Sequence, residues 1–368
     1  MVIPSAIDHD SYCNDFQKIY ISLVETLVFV SLRKIMALGR SSKVISLPRE
    51  FLESNDLKRG DYVTVYVQPD LTLVVYPTSE TNEKKSFKRE ISISISTDET
   101  KHSIIRKITG CYLNGYDEIN LLSQGIFSVE QQIAIRSVVK YLYTRIVEST
   151  ANKIVLQVFI DKSNTSILSG VKRMYIITSA MCRDILKGME EKNIQIIKSV
   201  MHLEEDVDQF KYHLIRMIKS ASVNYDLRVR EMDLIDSLDY QVLIHRMERV
   251  ADHLYIMAQK IITLFDENVF IPIDVFKLLI RSAKISFRSY EDAVESFLSM
   301  SVEKTNEIIN RQKEIDKIDD TISQLQYNGI KDINVLLYDI CIIRDRIKRI
   351  LECAADIAEI TIDHSYKL

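Results

Sequence analysis

IHRMERVADHLYIMAQKII, from Ile244 to Ile262, is the stretch from which the rest of the chain can be read. Ile244, Met247, Ala251, Leu254, Ala258 and Ile261 recur at helical spacing, which gives a helix one apolar face. Glu248 and Asp252 stand one turn apart, about 40° off that stripe. Arg346 to Ile362 repeats the arrangement: Leu351, Ala354, Ala355 and Ala358 accompany Glu352 and Asp356, each acid 104 residues after its counterpart. Two carboxylates about 5 Å apart repel by roughly 3 kcal/mol at an effective dielectric near 20. Packing beside a core adds desolvation. A bound cation, a raised pKa or a nearby arginine relieves that cost; acids on a solvated rim need no relief.

The repetition extends upstream. Asp206-Val207-Asp208 is echoed by Glu314-Ile315-Asp316 at an offset of 108, and Met189 meets Phe297 at the same offset. Each half then supplies three helices, predicted at 171–191, 192–222 and 239–265 and at 275–300, 301–327 and 332–362. Phe270-Ile271-Pro272 separates the halves, and Gly329 ends a helix. The scarcity of helix breakers agrees: 8 glycines and 5 prolines in 368 residues, with no proline between Pro77 and Pro272.

The net charge of −4 argues against a chain devoted wholly to nucleic acid but leaves room for a basic module. Five cysteines without a CxxC pair point to a reduced, cytoplasmic protein. Ile19 to Leu32 is apolar but interrupted by Glu25 and Thr26, too short to span a bilayer. Residues 1–31 are therefore a leader of uncertain status, and the chain is not expected to be an integral membrane protein.

Residues 32–78 read as a small β-rich domain. Strands Arg33–Leu38 and Lys43–Leu47 flank a Gly39-Arg40-Ser41-Ser42 turn; Pro48 opens a helix to Asn55; Lys58-Arg59-Gly60-Asp61 turns into strands Tyr62–Val67 and Leu71–Tyr76. So few residues make a marginal core, and dimerisation is the expected remedy. RKIMALGRSSKVISLPREFLESNDLKRGDYVTVYV resembles the AbrB-type (SpoVT/AbrB) fold, in which two chains interleave hairpins and present basic side chains to DNA. The resemblance makes Arg33, Arg40, Lys43 and Arg49 candidate DNA contacts. The adjacent arginine pair of DNA-binding members falls here on Leu52 and Glu53.

Residues 89–162 form an α/β connector module, predicted as strand Glu90–Ser96, helix Ser103–Leu113, strand Glu118–Leu122, a helix from Ser128 to Tyr143, and strand Ile154–Ile160. The order suggests helices on a sheet, similar to a ferredoxin-like regulatory module. No phosphate loop or nucleophile elbow appears in it.

Residues 171–265 and 275–362, two three-helix bundles with Glu-xxx-Asp in each third helix, resemble the PhoU family. ERVAD and ECAAD stand where that family carries acidic metal motifs. The order of AbrB-like head, α/β middle and all-α PhoU-like tail resembles archaeal phosphate uptake regulators. The resemblance implies a non-enzymatic regulator of phosphate uptake, homodimeric or higher through residues 32–78, with a phosphate transporter or signalling protein as partner. It makes Glu248, Asp252, Glu352 and Asp356 candidate ligands for iron, zinc, manganese or magnesium, with Asp208 and Asp316 reaching in from the preceding helices. Oxygen ligands suit hard or borderline cations. Arg249, Arg346 and Arg349 offer the alternative, neutralisation without metal. Two rival readings stand beside this one. An AbrB-type transcription regulator with a sensory helical tail needs the head to bind DNA. A carboxylate-bridged metal enzyme needs a Glu-xx-His motif in a bundle core, and the one glutamate with a histidine three residues later, Glu99 before His102, lies outside the helical repeat.

Overall fold

Turn chemistry shapes the first of the two units into which the chain divides, residues 1–86 and 87–368. The computed structural model describes residues 32–39, 42–67, 71–77, 88–159, 166–223, 233–267, 270–325 and 333–367. The leader 1–31, Arg40 and Gly329 lie outside the described residues. In the first unit, β1 (Met36–Leu38) and β2 (Ser42–Val44) pair antiparallel, with Gly39 at φ +71° where the turn needs a left-handed residue. Helix α1 (Arg49–Ser54) follows Pro48, and the Lys58 amide donates to Asp61 Oδ2 to close the next turn. Strands β3 (Val63–Val67) and β4 (Leu73–Pro77) pair antiparallel, Val65 opposite Val75. None of the described residues of this unit is buried, and Ile35, Leu38, Val67 and Leu73 are all more than half exposed.

The second unit begins with a four-stranded mixed sheet. Its elements are β5 (Glu90–Ile95), α2 (Lys101–Leu113), β6 (Glu118–Ser123), α3 (Val129–Tyr141), β7 (Thr144–Ser149) and β8 (Lys153–Val158). The strand order is β5-β6-β8-β7, with β5 parallel to β6 and the other pairs antiparallel. This is not the ferredoxin-like arrangement, whose chain order is β-α-β-β-α-β. Helix α3 stops at Tyr141, short of the predicted Tyr143; Tyr143 takes φ +45°, and the chain turns there into β7, a strand the sequence reading missed. Ser128 and Gln131 form a capping box at the start of α3, and the Gln131 amide also donates to the carbonyls of Ser96, Thr97 and Glu99. The core holds Ile95, Ile104, Ile119, Leu121, Ile135 and Leu156, each worth about 1.5–3 kcal/mol when fully buried.

Among the described residues six helical stretches follow, as the duplication predicts: α4 (Ile167–Glu190), α5 (Ile194–Val223), α6 (Leu234–Asp266), α7 (Ile273–Ser299), the broken pair α8 (Thr305–Asn310) and α9 (Gln312–Gln324), and α10 (Ile333–Ser365). The break falls at Arg311, whose guanidinium reaches Ser289 Oγ and Asp292 Oδ2 on α7 at 3.1 and 3.0 Å. The two halves are not separate bundles. One apolar core runs through both, because the third helices α6 and α10 pack on each other. Their polar contacts pair Asp239 with His364, Arg246 with Asp356, His253 with Arg346 and Lys260 with Asp339. Numbers rise on one helix as they fall on the other, so the pair is antiparallel. Its outer end is a clasp: Lys367 Nζ lies 2.6 Å from Asp233 Oδ2, and His364 Nδ1 2.7 Å from Asp239 Oδ2.

The α/β module is fastened to the first half. Arg216 of α5, its side chain only 5% exposed, donates to the Tyr116 carbonyl and Asp117 Oδ1, each at 2.9 Å, and also to the Tyr112 carbonyl. Gln209 donates to the Lys140 carbonyl, and His213 lies against the Tyr143 ring.

Candidate functional site

Helix α5 carries Glu204 and Asp208 four residues apart, and α6 carries Glu248 and Asp252 with the same spacing. The two helices pack together, so four carboxylates share one edge. Lys211 stands among them. Its ammonium donates to Glu248 Oε1 and lies 3.7 Å from Asp208 Oδ1, with the Lys211 and Glu248 side chains 16% and 14% exposed. One ammonium does not neutralise four acids. Burial, followed by repulsion from Asp208, Asp252, Glu205 and Glu248, pushes Glu204 up to about 7. Burial, then Glu248 and Asp208, pushes Asp252 up to about 6, with Lys211 and Arg249 opposing. Asp208 is raised by burial and eased by Lys211.

The second edge is built differently. Arg246 Nε of α6 lies 3.0 Å from Asp356 Oδ2, and Arg349 Nη1 3.5 Å from Glu352 Oε2. Lys348 takes Asp316 at 3.2 Å and Asp319 at 2.8 Å. Each candidate acid of this half therefore has its own cation. The repeat register explains the asymmetry. Asp356 corresponds to Asp252, but Arg246 corresponds at the same offset of 104 to Ile350, which is fully buried, so Asp252 lacks the arginine its counterpart has. Lys211 corresponds at the offset of 108 to Asp319. In the first half the cation sits on the second helix and the acid on the third; in the second half they have changed places.

Sequence reasoning named Asp208, Glu248 and Asp252 at the first edge and missed Glu204 and Lys211. The signal was present, since Glu204-xxx-Asp208 has the spacing of the two quoted motifs. His253, on the same helix as Asp252, is buried, at 6% exposed. Its Nδ1 lies 3.3 Å from Arg346 Nη1 and accepts from it. Burial, then Arg346, Arg249 and Arg349, push the imidazole down to about 4, so it is neutral near pH 7.

The donor chemistry of the first edge, all carboxylate oxygen from two helices, suits a hard cation. Its geometry is not preformed: among the described residues no three or more His, Cys, Asp or Glu side chains are gathered as a metal ion requires. On the second edge Glu352, Asp356 and Asp316 each face an arginine or lysine. Of the candidate DNA contacts, Arg33 and Lys43 are exposed, and Arg49 is held at 2.7 Å by Glu53 on its own helix.

Residues 37–83 match the family model described as antidote-toxin recognition MazE, bacterial antitoxin. The head is a MazE/AbrB-like domain. No curated protein matches the chain. Among solved structures the chain is similar to PhoU from Pseudomonas aeruginosa, at 14% identity and a TM-score of 0.48 over 53% of this chain and 93% of that one. It is also similar to the phosphate transport system regulatory protein PhoU from Streptococcus pneumoniae, at 15% identity and a TM-score of 0.45 over 53% and 91%. Among the described residues no helix is long and apolar enough to cross a membrane.

Proposed function

We propose that this chain regulates phosphate uptake by binding, without catalysis, and that it acts in the cytoplasm on a phosphate transporter or its signalling partner. The observation that carries the reading is the duplicated helical unit, with ERVAD and ECAAD in matching register on the two third helices. Packing α6 against α10 supports it, since the two motifs then flank one central helix pair. The test is phosphate uptake by cells with and without the gene, at high external phosphate. Uptake that loses its restraint without the gene is the expected result; unchanged uptake and unchanged transporter abundance would sink the reading.

Metal binding belongs to this proposal in a form narrower than the sequence suggested. Glu204, Asp208, Glu248 and Asp252 would hold iron, zinc, manganese or magnesium, and the cation would replace Lys211 as their counter-charge. Elemental analysis of protein purified without chelator is the check. Glu248→Ala/Asp252→Ala is expected to lose metal, and Glu352→Ala/Asp356→Ala to keep it.

The head supplies the oligomer in this reading. A unit with no buried residue among those described and a row of exposed aliphatic side chains needs a second copy to cover them. A second reading, DNA binding by the same head, is favoured by the exposure of Arg33 and Lys43. It predicts an affinity that falls with salt at a slope of about −0.9 per phosphate neutralised. A salt-independent or undetectable interaction with duplex DNA leaves the head as a dimerisation device.

A further inference from the structure

Arginines collect where α6 and α10 cross, next to the Lys211 edge. Arg246, Arg249 and His253 follow one another at i, i+3 and i+7, which places them on one face of α6. Arg346 and Arg349 come from the antiparallel helix opposite. All three of Arg249, Arg346 and Arg349 act on the His253 imidazole, and Arg246 and Arg249 both act on the Cys353 thiol, so the group is local.

Its guanidinium groups are unequally engaged. Arg246 is committed to Asp356. Arg346 and Arg349 share Asp345, at 2.9 and 3.6 Å, and Arg349 also reaches Glu352 at 3.5 Å. Asp345 and Glu352 are 44% and 53% exposed, pairs of a kind that hold little and can turn to water. Arg249 is exposed and makes no ion pair or hydrogen bond among the described residues, although it feels Asp252 from the neighbouring edge. Arg346 Nε is buried without a hydrogen-bond partner. His253 is buried against Arg346.

We propose that this arginine cluster binds a small tetrahedral oxyanion of the phosphate or sulfate type, held by Arg249, Arg346 and Arg349 beside His253. Planar guanidinium forks match such an anion two oxygens at a time, which a single ammonium does not. The bound anion displaces Asp345 from Arg346, satisfies Arg346 Nε and supplies the counter-charge that Arg249 lacks. The cluster stands on its own geometry and does not rest on the phosphate-uptake reading. A chain that restrains uptake but binds no phosphate sinks only the present proposal.

The test is calorimetric titration of the full chain with inorganic phosphate, in low chloride and excess EDTA so that no metal bridges the anion. Saturable binding is expected. Arg249→Gln and Arg346→Gln each weaken it at least tenfold, while Arg281→Gln, an exposed arginine paired with Glu314 elsewhere, leaves it unchanged. Circular dichroism checks the fold of the Arg346 variant; Arg249 is exposed, so its variant keeps the test decisive if Arg346→Gln fails to fold. Sulfate is expected to displace phosphate, and acetate at equal concentration to leave it bound. Absent or unsaturable binding, wild-type affinity in the Arg249 variant, or equal displacement by acetate overturns the assignment.

Discussion

Lys211 decides how much charge the first acidic edge can carry. With Glu204 raised from 4.5 to about 7 and Asp252 from 3.8 to about 6, the native state holds protons that the unfolded chain has already released. The unfolded state binds fewer protons over that range, so stability falls as pH rises from about 4 through 7. Glu204→Gln removes one source of that loss. Its melting temperature is expected to exceed that of wild type by a margin that grows from pH 5 to pH 8, measured by calorimetry in EDTA. A margin independent of pH would show that Glu204 is not repelled. Lys211→Met works in the opposite direction and is expected to cost about 1–3 kcal/mol at pH 8 and less at pH 5, read from urea unfolding. Three carboxylates of this edge, Asp208, Glu248 and Asp252, were legible because acids at helical spacing beside an apolar stripe are costly and therefore conspicuous. The cations were not. A lysine at position 211 reads as one more solvated charge until the angle between α5 and α6 is known. That Arg246 meets Asp356 depends on an antiparallel crossing of helices a hundred residues apart, which no local pattern encodes.

Helix packing accounts for most of what the repeat predicts correctly. Period and breaker residues are local signals, so the six helical stretches fall within a few residues of expectation. The failures lie where a tertiary contact overrides the local pattern. Arg311, drawn to Asp292, breaks the second helix of the second half, and Tyr143, at φ +45°, turns the chain out of α3 and into β7. Close approach of α4 and α5 is set by glycines: a Cβ on Gly170 would stand 2.4 Å from Leu214 Cδ2, and one on Gly188 2.3 Å from Ile197 Cγ1. Gly170→Ala is expected to destabilise by about 1–3 kcal/mol in denaturant, despite alanine's better helix propensity. A neutral or stabilising result would mean that Leu214 has another place to go. The seam between α5 and the α/β module behaves differently. Tyr112 Oη, Thr144 Oγ1 and His213 Nδ1 are buried there without hydrogen-bond partners. Thr144→Val removes an unpaired hydroxyl at nearly constant shape, so it is expected to stabilise by about 1 kcal/mol. Loss of stability in that variant would show that the hydroxyl is satisfied by a bridging water.

Sharing one core commits the two helical halves to each other. Residues 87–266 and 270–368, produced as separate fragments, are each expected to expose the faces of α6 and α10 and to aggregate or remain molten. Mixed, they are expected to recover native-like helicity and a cooperative transition by circular dichroism. Independent folding of either fragment would contradict the continuous core. The duplication was legible in the sequence, but the sharing was not, since two separate bundles and one fused core require the same apolar periodicity. The reading of the head as a domain needing a partner rested on its size, and the absence of any buried residue among those described gives that reading a physical basis. The clasp at Lys367 and His364 has a consequence for synthesis. Helix α6 leaves the ribosome about a hundred residues before the partner that covers it, and the side chains that fasten its first turn follow 125 and 131 residues behind the acids they meet. For that interval its apolar stripe is open to whatever holds nascent chains, and a chain that stops before His364 never closes the clasp.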